Sequence, residues 1–170
     1  MRLKTLAMKN SKELGLALAL IIATAILMAA TYFRWINLGF VVGPYRFTHW
    51  VGWIGALYIA VAVPAYAIFK RRKPQKMKGL LRMHVYGNLL AFLLISIHFA
   101  SQMARPTLPD LGTGIALYTA MLLLAATGLL QRFRIIQGLK LQGNRFLHVS
   151  LAVSFYLVIG IHILHGIGII

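Results

Sequence analysis

Apolar residues fall in five long runs, and polar residues are confined to the connections between them. The runs cover Leu14 to Phe33, Thr48 to Phe69, Met83 to Ser101, Leu111 to Leu130 and Phe146 to Ile170, and none contains Lys, Arg, Asp or Glu. A helix crosses the hydrocarbon layer of a bilayer with roughly 20 apolar residues, each rising about 1.5 Å. Each run is therefore predicted to be a transmembrane helix. Helix stoppers punctuate the connections: Gly43-Pro44, Pro74, Pro106 with Pro109, and Gly138 with Gly143. Nothing is left over for a soluble domain, and no solenoid-type repeat or low-complexity tract appears. The expected fold is all-α, an integral-membrane five-helix bundle forming one domain over residues 1–170.

The first run needs a separate check. A basic arm, an apolar stretch and Ala29-Ala30 are also the parts of a secretory signal peptide. We expect it to be a retained span.

Composition sharpens the class. Hydrophobic residues make up 60% and charged residues 12% of the chain, against about a quarter charged in soluble domains. Zero cysteines exclude disulfides, thiolate-bound iron–sulfur clusters and covalently attached c-type haem. Two acids, Glu13 and Asp110, leave little for a carboxylate-based hydrolase, and no dinucleotide or P-loop fingerprint is present.

The net charge of +16 would suggest nucleic acid in a soluble protein. Here the placement of the cations argues against that partner. The amino-terminal arm, the second connection and the fourth connection hold fifteen of the eighteen Lys and Arg, leaving only Arg34, Arg46 and Arg105 on the other side. The positive-inside rule then puts the amino terminus in the cytoplasm and the carboxyl terminus outside a plasma or inner membrane. Trp35, Trp50 and Trp53 are expected at the outer interface, and the basic side has an attraction for anionic lipid.

Histidine is the one ionisable side chain within the spans, and such residues usually mark function. His84 and His98 are fourteen residues apart on the third run, and His148 and His162 are fourteen apart on the fifth. Fourteen residues stop about 40° short of four helical turns and rise about 21 Å. Each pair thus presents two imidazoles on nearly one face, near opposite leaflets. The third and fifth spans run in the same direction, so His84 can meet His148 near the inner face and His98 can meet His162 near the outer face. Facing imidazoles at two levels are what two haem irons need, and two axial histidines favour electron transfer over gas binding. Gly114 and Gly128 on the fourth run are again fourteen apart, where backbone can approach a flat macrocycle. Gly87, one turn from His84, gives a weaker hint of the same kind.

Paired histidines with thirteen intervening residues on two parallel helices resemble the membrane domain of ferric reductases and NADPH oxidases. A similar ladder occurs in respiratory-chain cytochrome b, with paired glycines beside the haems. The resemblance covers about half the chain, from Arg82 to His165. It implies two haem b groups, an inner one on His84 and His148 and an outer one on His98 and His162. Ferric reductases usually add a sixth span and a cytosolic flavin and nicotinamide module, neither of which is found here. The resemblance therefore implies that electrons come from a quinol or from separate redox partner subunits.

Other polar residues surround the ladder. His165, one turn beyond His162, is an alternative outer ligand, or a partner for a propionate or quinone. From His148 it stands about 100° short of the fifth complete turn, so His162 fits the common face better. His49, with Tyr45, Arg46 and Trp50, forms either an outer quinone pocket or an interfacial anchor. Arg82 and Arg145 are candidates for the propionates of the inner haem, and Arg105 or Arg46 for those of the outer one. Two further functions stay open at this level: a metal-ion or proton transporter using the histidines, and a haem-free assembly subunit whose histidines only bond between helices.

Overall fold

The computed structural model describes residues 2–107, 112–134 and 141–169, with the side chains of 2–10 and 141 excluded. Five long helices account for nearly all of it: α1 (Arg2–Tyr32), α2 (Phe47–Arg72), α3 (Met77–Met103), α4 (Gly112–Phe133) and α5 (Leu141–Gly166). All five are long and apolar enough to cross a membrane, and the chain is all-α in the sense expected. Leu111, Pro109, Asp110, Gly138, Lys140 and Ile170, which the sequence reading used, lie outside the described residues, as do the side chains of Arg2, Lys4 and Lys9.

The helices follow from the solvent. Without water to bond, backbone N–H and C=O groups must be paired within the segment, and side-chain hydroxyls obey the same rule. Thr24, Thr31 and Ser96 are buried and donate to the carbonyls of Leu20, Leu27 and Phe92, one turn back, at 2.7–2.8 Å. α2 runs on through Pro64. Large apolar side chains such as Ile22, Leu57 and Leu157 stay exposed, as a lipid-facing surface requires.

The described chain divides into two compact units, Met1–Pro106 and Thr107–Ile170. In unit 1, α3 packs against both α1 and α2; in unit 2, α4 packs against α5. Small residues allow close approach in unit 1. A Cβ on Gly55 would stand 2.9 Å from Ile95 Cγ1 and 3.0 Å from the Ala91 carbonyl oxygen. At the inner end of this packing, as the sequence orients it, Arg82 on α3 donates from Nε and Nη2 to Glu13 Oε1 of α1 at 3.2 and 2.9 Å. Tyr86 Oη adds a bond to the Glu13 carbonyl at 3.1 Å.

Several boundaries differ from the sequence reading, each for a local reason. Gly143 is not a stopper but lies inside α5. That helix ends early because Gly168 adopts φ +74° and closes a Schellman cap, with Gly168 N–H on the His165 carbonyl and Ile169 N–H on that of Leu164. α1 ends in the same way on Arg34, at φ 59°, where a side chain strains the left-handed backbone. Its guanidinium donates from Nη2 to the Ala104 carbonyl, tying the end of α1 to the end of α3. Gly43-Pro44 does more than interrupt a helix. Gly43 at φ +60° turns a two-residue hairpin loop between β1 (Val41–Val42) and β2 (Tyr45–Arg46), in which Val41 pairs with Arg46 and Val42 with Tyr45.

The close approach at Gly55 has a direct test. Gly→Ala in a helix ordinarily gains up to about 1 kcal/mol, and Gly15 has open space where a Cβ would go. Gly15→Ala is expected to be neutral or stabilising. Gly55→Ala should cost about 1–3 kcal/mol through overpacking, read as a lower thermal midpoint in detergent.

Candidate histidine sites

Unit 2 repeats one small construction twice. On α5, His148 and His162 stand fourteen residues apart; on α4, Thr113-Gly114 and Thr127-Gly128 show the same interval. His148 Nδ1 lies 2.9 Å from Thr127 Oγ1, and His162 Nδ1 lies 2.9 Å from Thr113 Oγ1. A Cβ on Gly128 would meet His148 Cε1 at 3.3 Å, and one on Gly114 would meet His162 Cε1 at 3.7 Å. The contacts run in opposite order along the two helices, so α4 and α5 are antiparallel. In each cradle the threonine meets a ring nitrogen and the adjoining glycine lies against the ring, tightly at Gly128 and at ordinary contact distance at Gly114.

The hydrogen bonds at Thr127 settle a tautomer. Its single hydroxyl proton goes to the Leu123 carbonyl at 2.7 Å. The oxygen can then only accept from His148, so Nδ1 carries the imidazole proton and Nε2 keeps its lone pair. Asn144, one turn before His148, donates Nδ2 to the Thr127 carbonyl at 3.0 Å, and both residues are buried. With a longer contact from its hydroxyl to the Leu124 carbonyl at 3.2 Å, Thr127 joins four bonds in one place.

Unit 1 reaches a similar result by other means. His98 Nδ1 lies 3.0 Å from the Thr48 carbonyl. A carbonyl only accepts, so Nδ1 again holds the proton and Nε2 the lone pair. Gly52 provides the clearance, since a Cβ there would be 2.9 Å from His98 Cγ. His84 is held differently. Its ring stacks on Tyr66 at 4.3 Å between centroids and 15° between planes, and Asn88 Nδ2 lies 3.2 Å from its Nδ1. With the NH2 facing the ring, that amide donates to Nδ1. Ligation through Nε2 requires the amide turned over, so that Oδ1 accepts from Nδ1–H.

Comparison with protein families, with curated proteins and with solved structures gives no match for this chain. The site therefore stands on its own residues. Among the described residues, no three of His, Cys, Asp and Glu gather as a metal site would need. At His98 and His148 one ring nitrogen is instead fixed by a group on the neighbouring helix.

The surrounding candidates separate. Gly87 does not border a histidine; a Cβ there would fall 1.7 Å from Tyr58 Oη, whose hydroxyl bonds the Met83 carbonyl at 2.8 Å. Its role in the structure is to admit Tyr58. Arg82 is committed to Glu13. Arg145 and His165 are exposed on α5. His49 meets the His98 ring edge-on at 5.1 Å, beside Tyr45 at 6.2 Å, and Arg46 and Arg105 lie at this same end of unit 1. The sequence reading passed over Thr113, Thr127, Thr48 and Gly52. A signal existed for the first two, which directly precede the glycines already singled out and share their interval.

The tautomers are measurable. Ring ¹⁵N shifts should show the proton on Nδ1 and not on Nε2 at His98 and His148. Thr127→Val should remove that preference at His148 and leave His98 unchanged, whereas Thr127→Ser should restore it.

Proposed function

We propose that this chain is a multi-pass protein of a plasma or inner membrane that carries two b-type haems for transmembrane electron transfer. Its amino terminus is cytoplasmic and its carboxyl terminus outside. In this reading His84 and His148 hold the inner haem, and His98 and His162 the outer one. Haem bound there would supply reversible one-electron iron chemistry.

The observation that carries the reading is the doubled cradle of unit 2. Interhelical hydrogen bonding alone accounts for a histidine against a threonine. It does not require the same Thr-Gly pair to recur at the interval of the histidines, about 21 Å along the helix. Two levels at that separation divide a hydrocarbon layer of about 30 Å into short steps. The chain's own residues do three things toward this role. Thr127 and the Thr48 carbonyl hold the Nδ1 protons of His148 and His98 and so fix the tautomer that ligation through Nε2 needs. Gly52 and Gly128 leave the His98 and His148 rings space that a Cβ would take, and Gly114 lies against the His162 ring. Asn144 steadies Thr127 from the next turn.

With Arg82 paired to Glu13, Arg145 is the better inner candidate for a propionate. No residue pattern here suits hydride transfer, so the chain serves as a subunit or partner of a larger redox assembly, with a quinone or another subunit exchanging its electrons.

Reduced-minus-oxidised spectra of the purified chain should show b-type bands with about two haems per chain, as two bis-histidine levels require. A colourless, folded preparation would instead favour a transporter or an assembly subunit. His84→Ala and His148→Ala should each abolish one and the same haem, and His98→Ala and His162→Ala the other. Loss of a common centre in His84→Ala and His162→Ala would overturn the pairing.

A further inference from the structure

The start of α2 and the end of α3 are pinned together through Thr48. Its carbonyl accepts from His98 Nδ1, and its hydroxyl donates to Ser101 Oγ at 3.2 Å. These bonds bring Arg46 and His49, within two residues of Thr48, to the same end of unit 1 as Gln102 and Arg105. The ring contact between His49 and His98 confirms the approach. Arg34 arrives from the end of α1 and donates to the Ala104 carbonyl. The three arginines that sequence sets apart from the other basic residues are thus collected in one corner.

Nothing described balances them. Glu13 is the one acidic side chain among the described residues, and Arg82 holds it. It precedes Arg34 by 21 residues, about 30 Å of helix. The corner also buries donors without an acceptor: Arg105 Nε and Gln102 Nε2 have no hydrogen-bond partner, and neither has His49 Nδ1. Gln102 and Arg105 are three residues apart and joined by a backbone bond, Arg105 N–H to the Gln102 carbonyl at 3.2 Å. Burial first, and then the nearby Arg46 charge, lowers the Arg105 pKa from the usual guanidinium range. Gathering like charges and burying unpaired donors both cost free energy. An anion with two or more oxygens relieves both costs at once, because guanidinium groups match carboxylate and phosphate in a planar fork.

We propose that this corner binds an oxyanion of the carboxylate or phosphate class, gripped by Arg46 and Arg105 with the Gln102 amide and the His49 ring beside them. Unit 1 supplies every residue of the site. Two sources offer the chemistry: the headgroup of an anionic phospholipid, and a small soluble anion.

The experiment uses the full chain in phosphatidylcholine nanodiscs, titrated with citrate and with inorganic phosphate at constant ionic strength. Trp50 and Trp53 report, since their rings lie 5.9 and 4.8 Å from Tyr45, next to Arg46. In parallel, native mass spectrometry measures phosphatidylglycerol retained from mixed nanodiscs. A saturable fluorescence change that weakens about tenfold or more in Arg46→Gln/Arg105→Gln assigns a soluble anion, the loss expected for a charged hydrogen bond. Phosphatidylglycerol kept by the wild type and lost from that variant assigns the headgroup. Gln102→Leu, which leaves the charge alone, should weaken whichever ligand binds by about threefold, and serves if the double variant misfolds. No saturable response together with equal lipid retention in all three proteins overturns the proposal, as does a response that no variant changes.

Discussion

A polar atom inside an apolar helix has no water to turn to, and this one constraint organises the chain. It forces the backbone into helices. It sends Thr24, Thr31 and Ser96 back onto their own preceding turns. It also makes the histidines legible, because each imidazole brings two nitrogens that an apolar setting will not leave idle. In unit 2 the threonines of α4 take one nitrogen of each ring. Which nitrogen each partner takes, and so which tautomer the ring adopts, is the chemical content of the candidate site.

The spans were readable from sequence because hydrophobic thickness is a one-dimensional requirement. Five uncharged runs of the right length can hardly be anything else, and all five occur as helices. Their ends were harder. Leu14 to Phe33 was bounded by charge, yet α1 extends back to Arg2 because Lys and Arg are good helix formers. Gly168 stops α5 through a left-handed cap whose hydrogen bonds involve residues three and five positions back, which no hydropathy pattern records. The hairpin at Gly43-Pro44 has strands of two residues, too short for alternation to show.

The site was partly readable. The interval of fourteen picked out His148, His162, Gly114 and Gly128, and the structure sets each of these glycines against a histidine ring. Periodicity could not find Gly52 or Thr48, which serve His98 once each from a helix without a matching repeat. It also could not see that Arg82 would spend its guanidinium on Glu13, since that pair is 69 residues apart. A salt bridge between distant helices leaves no mark in local sequence. Gly87 looked like a clearance for a macrocycle and is a clearance for a tyrosine; a small residue in a membrane helix shows that something comes close, not what.

The two units hold their rings with unlike groups, and this difference has consequences for any metal they bind. The Thr48 carbonyl facing His98 can only accept, so that ring has one tautomer for as long as the bond persists. A threonine hydroxyl can reverse. At Thr127 the reversal is opposed by the short bond to the Leu123 carbonyl and by Asn144 on the other side of the same residue, so His148 is held nearly as firmly. His84 is held by a side-chain amide whose two ends have the same shape and opposite roles, with Tyr66 against its face. Hydrogen bonding at Nδ1 sets how much electron density Nε2 can give. The rings therefore differ in how firmly their tautomers are fixed, and His84 is the most easily adjusted of them.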